Sequence, residues 1–555
     1  MSSTATLEST LDFAPAVLDP AHIGDIEGAF GTVSMHDRAP RRGLLRRLAT
    51  FAAIVGPGLI VMVGDNDAGG VQTYTQAGQA YGYSLLWVLV LLAPVLVVNQ
   101  EMAARLGTVT GVGHARLIRE RFGRLWASFA VLDLLVLNFL TLLTEFIGIY
   151  FGLAYFGVPK LIALPASGVT LFAIAASGRF RVWERALMVL IAASFVFVPA
   201  MLVAHPRWGA VAHGLIVPGV AGGVSSPAIL LIVAMIGTTV APWQLFFQQS
   251  NVLDKRITPR WLNYERADTF FGAALTTIAA GGMIIFGTAL FDSHRYGPPA
   301  VYSDSGWFDR AIASTLGPAA GAMAAIMLVV AAVIGAGAVS LSSSYAFGDS
   351  FGARHSLHRS IRTAPLFYGV YAAQIVAACL LVALGSNDLL GTLTQYVQVL
   401  AAILLPSATL LLLLLCNDAD VLGPWINGRA MNAFVGAVIV VLTILSVDLT
   451  ISTLFSSIDG VRLTELCFSA GGALAVALAP VILQLRRRAI RQGRVFDARA
   501  AVAGLDRAAW RMAPLDRLPR PRPSLLRSMS LYGLRAYMTG AAVIVGVRAL
   551  RPFIG

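Results

Sequence analysis

Charge is scarce in this chain. Only 13% of its 555 residues are Asp, Glu, Lys or Arg, where an ordinary soluble domain carries about 25%. With 57% hydrophobic residues and a mean hydropathy of +0.74, that scarcity excludes a soluble globular protein and points to a polytopic membrane protein. Runs of alternating short strands of the outer-membrane barrel kind are missing, so the spans are expected to be helices. Cysteine is nearly missing too. Cys379, Cys416 and Cys467 lie in or beside apolar runs, which fits small buried side chains and excludes a disulfide framework or a zinc site. No P-loop, HExxH, CxxC or nucleophile elbow occurs, so no enzyme is expected, and no resident cofactor. The first 40 residues lack an apolar core followed by a small-residue cleavage site, so no secretory signal is expected. The net charge of +12 is spread between apolar runs rather than gathered in a patch, which argues against a nucleic-acid partner.

What the sequence does have is apolar runs. Twelve candidate spans fall at about 49–75, 83–106, 126–156, 161–176, 185–204, 226–250, 268–291, 316–345, 365–384, 389–415, 431–449 and 463–485. With the amino terminus placed in the cytoplasm, the inside loops hold 15 basic residues and the outside loops 5. That asymmetry predicts a multi-pass protein of the inner (plasma) membrane with both termini cytoplasmic, its partner the lipid bilayer. The chain then divides into a cytoplasmic tail over 1–48, a transmembrane domain over 49–485 and a basic cytoplasmic tail over 486–555. The stretch STATLESTLDFAPAVLDPAH reads as mobile and polar, and the Arg-rich end reads as disordered or lying on anionic lipid. Oligomeric state is not legible.

Two spans are interrupted. The first contains GDNDAGG (64–70): Asp65, Asn66 and Asp67 are poor helix formers, and the glycines permit unwinding. Backbone at membrane depth must be satisfied by protein or line a watery cavity, and an ionisable residue there defaults to function. The sixth span contains GTTVAPW (237–243), where Pro242 removes a donor and frees the carbonyls near Thr238 and Thr239. Five spans separate the two breaks. Transporters built from inverted five-helix repeats bind their substrates where the first helices of both repeats unwind, so repeats over about 49–204 and 226–415 are expected, with 431–485 as additional helices. Two carboxylates with freed carbonyls and hydroxyls make an oxygen-rich, negative pocket suited to a hard divalent cation, Mg²⁺ or Mn²⁺, as cargo. An organic cation would satisfy the same charge.

These residues resemble the NRAMP divalent-metal transporters, a branch of the LeuT-like superfamily. The likeness is carried by GPG (56–58), QAGQAYGYSLLWVLVL (76–91), EMAARLGTVTG (101–111) and EFIG (145–148). It implies an all-α membrane protein of LeuT-like fold with inverted five-helix repeats, broken helices 1 and 6, and about 12 spans, or 11. The family's Asp-Pro-Gly-Asn motif falls on Asp67, Ala68, Gly69 and Gly70, and its Met-Pro-His motif on Ala241, Pro242 and Trp243; a second family histidine falls on Gln248. The metal-contacting glutamine is retained as Gln398, and the contacting carbonyls would be those of Gly64 and Thr238. The expected metal set is therefore Asp67, Asp65, Asn66, Gly64, Thr238, Thr239 and Gln398.

The departures agree with one another. Loss of the soft sulfur ligand removes a preference for transition metals. Ala241 and Gly70 leave room for the water shell that Mg²⁺ gives up reluctantly. The pattern resembles the NRAMP-related magnesium transporters, which carry their ion partly hydrated. Glu145 matches a glutamate of the family's proton route, but the acid expected three residues earlier is Leu142, and both histidines are gone. Weak or no proton coupling is expected, with the membrane potential as drive: two charges across 100 mV are worth about 4.6 kcal/mol. A proton-coupled Mn²⁺ or Fe²⁺ importer and a cation channel are the alternatives.

Overall fold

Helices are the only open-chain way to satisfy backbone hydrogen bonds in lipid, and each apolar run folds as one or more of them. The computed structural model describes residues 19–293, 306–454, 460–492, 498–507, 510–521, 527–534 and 536–537. Two short strands, β1 (Ile26–Gly28) and β2 (Gly31–Val33), pair as an antiparallel hairpin before the helices begin. The helices used below are α1 (Leu44–Ile54), α2 (Pro57–Val63), α3 (Ala68–Tyr81), α4 (Leu86–Thr110), α5 (Arg124–Tyr155), α6 (Lys160–Ala175) and α7 (Phe180–Ser194). There follow α8 (Ser226–Thr239), α9 (Pro242–Asp254), α10 (Leu262–Asp292), α11 (Pro318–Phe351), α12 (Pro365–Leu384), α13 (Asn387–Leu415), α14 (Arg429–Leu454) and α15 (Gly460–Arg491). Proline opens α2, α9, α11 and α12, where its missing N–H costs nothing. Gly111 (φ 68°) and Gly352 (φ 66°) end α4 and α11 in the left-handed conformation that a side chain resists.

Among the described residues ten helices are long and apolar enough to cross a bilayer, or eleven if α1 and α2, bent by 56°, count as one span. The twelve expected segments are all helical, so the difference lies in length and continuity. Helix α6 has 16 residues, about 24 Å against a hydrocarbon core of roughly 30 Å. Helix α3 continues through one 3₁₀ turn into α4 as a single long apolar stretch. The interior is built by α3, α5, α8, α10, α11 and α13 packed around one another, while α14 and α15 lie outside with their faces largely uncovered.

The expected mobile amino-terminal tail needs correction from Asp19 onward. Residues 1–18 lie outside the described part, but Asp19 bonds Arg359 (2.5 Å) and the His355 amide (3.1 Å), and His22 reaches the His355 carbonyl (3.1 Å). The hairpin amide of Ala29 donates to Glu184 of α7 at 2.5 Å. A polar sequence looks mobile when its partners lie hundreds of residues away. Parts of the carboxyl-terminal segment are likewise docked: Arg507 stacks over Trp425, and Arg121 donates to the Pro519 carbonyl (2.6 Å).

Candidate functional site

The first break is four residues long. Helix α2 stops at Val63, capped by Gly64, and α3 begins at Ala68. Asp67 turns the chain back into helix as the N-cap of α3, its Oδ1 accepting from the Gly70 amide at 2.7 Å. A carboxylate at that position satisfies an orphan donor and meets the positive end of the helix dipole. The second break is shorter than expected: only Val240 and Ala241 separate α8 from α9. Thr238 and Thr239 close α8, and Pro242 opens α9 at its first turn. The two breaks thus set two helix C-terminal ends, with their free carbonyls, beside two N-terminal ends.

The walls of this place are buried. Asp65, Asn66, Asp67, Thr238 and Thr239 are all between 1% and 4% exposed, deep enough that any unpaired acceptor is costly. Several are nonetheless unpaired. Asp65 Oδ2, Asn66 Oδ1, Thr238 Oγ1 and Gln398 Nε2 have no hydrogen-bond partner. The remaining atoms are committed: Asp65 Oδ1 accepts from Gln244 Nε2, and Asn66 Nδ2 donates to the Thr276 carbonyl of α10 at 3.1 Å. Thr239 is used differently from Thr238. Its hydroxyl donates to the Met235 carbonyl (2.6 Å) and meets the Tyr74 hydroxyl (2.7 Å), tying α8 to α3.

Gln398 comes from α13 and sits against both broken helices. A Cβ on Gly69 would overlap its carboxamide, and one on Gly237 would overlap its backbone carbonyl, so both glycines are there for close approach. Gly70, where the resemblance places an asparagine, faces the Asp65 carbonyl and Thr238 Oγ1: a Cβ there would lie 3.0 and 3.1 Å from them. Beside Gly70 the space is therefore narrow in this conformation, less than a water shell needs.

Glu145 of α5 approaches from the opposite side. Its Oε2 accepts from the Ala68 amide at 3.1 Å, which sets it beside Asp67, while its Oε1 has no hydrogen-bond partner. Gln248, in place of the family's second histidine, donates to Glu265 (3.0 Å), away from the break.

Of the residues named from the sequence, Asp65, Asn66, Thr238 and Glu145 each keep an unpaired oxygen, Gln398 keeps an unpaired amide nitrogen, Asp67 caps α3, and Thr239 is committed to Met235 and Tyr74. Gly64 stands at the end of α2. Among the described residues no group of three or more His, Cys, Asp or Glu side chains is placed to hold a metal ion, so a cation here would rely on two carboxylates and neutral oxygens. Two contributors were not legible. Gln100 of α4, whose Nε2 donates to Gln244 Oε1 at 3.0 Å, carries no local signal. Tyr74 lies seven residues after Asp67, two helical turns along one face of α3, and that spacing was the available clue.

Residues 58–452 match the family described as Natural resistance-associated macrophage protein-like. The Divalent metal cation transporter MntH of Ralstonia nicotianae is 28% identical over 427 residues, covering 73% of this chain and 91% of that protein. MntH of Burkholderia ambifaria is 26% identical over 420 residues, with 73% and 90% covered. Among solved structures, the Eremococcus coleocola manganese transporter in complex with an aromatic bis-isothiourea substituted compound superposes with a TM-score of 0.61 at 22% identity, over 81% of this chain and 96% of that one. Its likeness carries the fold: an all-α membrane bundle of LeuT-like architecture.

Proposed function

This chain belongs to the Nramp family, and on that premise we propose that it imports divalent cations, Mg²⁺ foremost and Mn²⁺ with it, through the paired breaks α2/α3 and α8/α9. The observation that carries the reading is a set of unpaired buried oxygens on the residues of the two breaks, Asp65 Oδ2, Asn66 Oδ1 and Thr238 Oγ1, with the Asp67 carboxylate capping α3. A hard cation satisfies all of them at once, and nothing apolar does. Ala241, where the resemblance places methionine, offers no sulfur, which supports Mg²⁺ over softer ions. A partly hydrated ion needs the Asp65 turn to withdraw, so binding goes with a change at the break. The excess of basic residues in the alternate loops supports cytoplasmic termini in the plasma membrane, and the spacing of the two breaks supports repeats at about 49–204 and 226–415.

The absence of both family histidines, with Leu142 in place of an acid, supports weak proton coupling driven mainly by the membrane potential. The buried Glu145, bonded to the Ala68 amide next to Asp67, favours a second reading. A buried acid beside the ion route is what a proton-coupled importer of the ordinary family type would use, and the named relatives are divalent metal and manganese transporters.

Uptake of Mg²⁺, Mn²⁺ and Ca²⁺ into proteoliposomes, with and without an imposed pH gradient, separates the readings. Saturable Mg²⁺ uptake that follows the membrane potential and ignores the pH gradient is expected. Mn²⁺ uptake that excess Mg²⁺ leaves untouched and a pH gradient accelerates would establish the second reading. Single-channel currents would replace both with a pore.

A further inference from the structure

Where α4 nears its end and α10 and α14 begin, a cavity of about 160 Å³ opens to the surface. A cavity of about 150 Å³ holds a benzene-sized molecule, so this one takes a small group and not a whole nucleotide. Arg105, Arg266 and Arg507 line it against a single acid, Glu101, so three positive charges less one negative leave two positive. Glu101 is fully engaged: Oε1 accepts from Arg266 Nη2 (2.7 Å) and from Arg105 Nε (3.1 Å), and Oε2 from Arg105 Nη2 (3.1 Å). Other acceptors nearby are taken as well. Arg105 donates to the Trp425 carbonyl and to Asn427 Oδ1 (2.6 Å), and Arg499 to the Asn427 carbonyl (3.2 Å). Walls with donors in excess and acceptors in use recognise an anion.

Two sets of donors remain open. Arg507 is anchored by its carbonyl, which accepts from Trp425 Nε1 (3.3 Å), and by its Nε, which donates to the Pro424 carbonyl (3.2 Å); its terminal nitrogens bond nothing among the described residues. Gly428 and Met431 bracket the opening turn of α14, where the Gly428 carbonyl accepts from the Asn432 amide (3.1 Å). The first amides of a helix have no helical partner and stand at the positive end of its dipole. A Cβ on Gly428 would meet nothing within 4 Å, so that side of the pocket is open. On the lipid side, Phe270 lies one helical turn beyond Arg266 on the same face of α10 and is 66% exposed. An arginine at the start of a span with an uncovered aromatic one turn deeper suits a headgroup with its chain alongside.

We propose that this pocket binds a phosphate group, carried by an anionic lipid headgroup or as the free ion, and that its occupation holds the carboxyl-terminal segment to the bundle through Arg507. A guanidinium fork fits phosphate oxygens in pairs, which a lysine at the same place would not do. The inference stands apart from the transport reading, because none of these residues belongs to the two breaks. The segment already has one tie here: the Trp510 ring fills the place that a Cβ on Gly423 would take. Phosphate on Arg507 adds a second that depends on the ligand.

The test uses the full chain in detergent with Gly428→Asp, Arg507→Gln and the two combined. Gly428→Asp sets a carboxylate in the open side of the pocket, where it repels phosphate while capping α14, so the fold does not suffer. Native mass spectrometry compares retained phosphatidylglycerol with phosphatidylcholine, and thermal unfolding compares inorganic phosphate with chloride at equal ionic strength. Hydrogen exchange over 498–507 follows the segment. The wild type should retain phosphatidylglycerol about tenfold over phosphatidylcholine, or gain melting temperature from phosphate and not from chloride, as a charge-assisted site does. Exchange over 498–507 should slow with whichever ligand binds. Each single variant should weaken the preference several-fold, and the double variant should abolish it. A lipid effect alone assigns the site to a headgroup, a phosphate effect alone to the free ion, and both together to either source. The proposal is overturned if the wild type distinguishes neither pair, if the double variant keeps the wild-type preference, or if exchange over 498–507 is the same with the ligand bound.

Discussion

Two regions of this molecule bury ionisable groups to the same depth and treat them in opposite ways. At the Lys255–Glu184 pair both charges are answered: Lys255 Nζ meets Glu184 at 2.5 Å and the Val55 carbonyl at 2.9 Å, and Glu184 takes the Ala29 amide at 2.5 Å, although Glu265 nearby keeps one oxygen unpaired. Asp268 accepts from the amides of Gly56 (3.0 Å), Gly58 (2.8 Å) and Leu59 (3.3 Å), closing the bend between α1 and α2. At the break some 10 Å along α2, a seven-residue helix rising about 1.5 Å per residue, Asp65, Asn66 and Thr238 keep acceptors that nothing fills. Depth alone therefore does not mark a site. A buried charge whose partners are all protein is structural, while one left waiting is held for something that comes and goes.

The largest effect expected from this contrast is on folding. Lys255→Met leaves Glu184 as an unanswered buried anion, which costs about 3–5 kcal/mol. The variant should give little monodisperse protein in detergent, and Lys255→Met combined with Glu184→Leu should recover much of the loss in thermal unfolding. Wild-type stability in the single variant would break the comparison.

Next comes the opposite signature at the break. Asp65→Ala removes a charge that the fold leaves half unpaired, so divalent uptake should fall at least about a hundredfold while the melting temperature holds or rises, because relieving an unsatisfied buried polar group stabilises the fold. Asp67→Ala should also abolish uptake, but with a loss of about 1 kcal/mol in stability, since it removes an N-cap. A stability loss at Asp65 as large as that at Lys255 would place both regions in one class.

A third prediction belongs to the answered side. His355, between α11 and α12, is buried, which by itself lowers its pKa, but the hydrogen bond and charge of Asp349 (3.1 Å), the Ala353 carbonyl and Asp19 reverse this and hold it at about 9. A histidine raised above its usual 6.5 stabilises the fold fully below that pH, and the contribution disappears as pH rises through 9. The gap in melting temperature between wild type and His355→Gln should be constant below about pH 6, shrink between about 6.5 and 9, and be gone above about 9. A gap that does not change with pH would show that His355 acts by shape alone.

The sequence revealed these regions unequally, for a physical reason. Spans were legible because lipid forces each apolar run into helix: the run at 365–384 is the helix Pro365–Leu384 to the residue. The first break was legible because helix-poor residues and glycine interrupt an apolar run. The bend at Val55–Gly56 was not seen, although Gly56-Pro57 stands there. The bonds from Gln100 to Gln244 and from Gln244 to Asp65 were invisible because they join residues 144 and 179 positions apart, and glutamine in a bundle helix gives no local sign of its partner. The same holds for Asp19 and His22, which looked like tail because their partners lie more than 300 residues away.

The smallest predicted effect tests selectivity at the break. Ala241 is buried between α8 and α9, next to the carbonyl end of α8. Ala241→Met would bring a thioether to the place where the resemblance has one, adding a soft ligand that favours Mn²⁺ and is useless to Mg²⁺. It would also fill space, and the space is already narrow, with the Asp65 carbonyl and Thr238 Oγ1 about 3 Å from where a Gly70 side chain would begin. Both effects act in one direction: a bare or less hydrated Mn²⁺ is favoured and a hydrated Mg²⁺ is hindered. The ratio of Mn²⁺ to Mg²⁺ uptake should rise about tenfold, equivalent to about 1.4 kcal/mol of differential binding. Competition uptake with both ions present measures the ratio directly. If Mn²⁺ gains while Mg²⁺ is unaffected, the sulfur acts as a ligand without crowding the site, and the unpaired oxygens on the other side of the break are then what Mg²⁺ depends on.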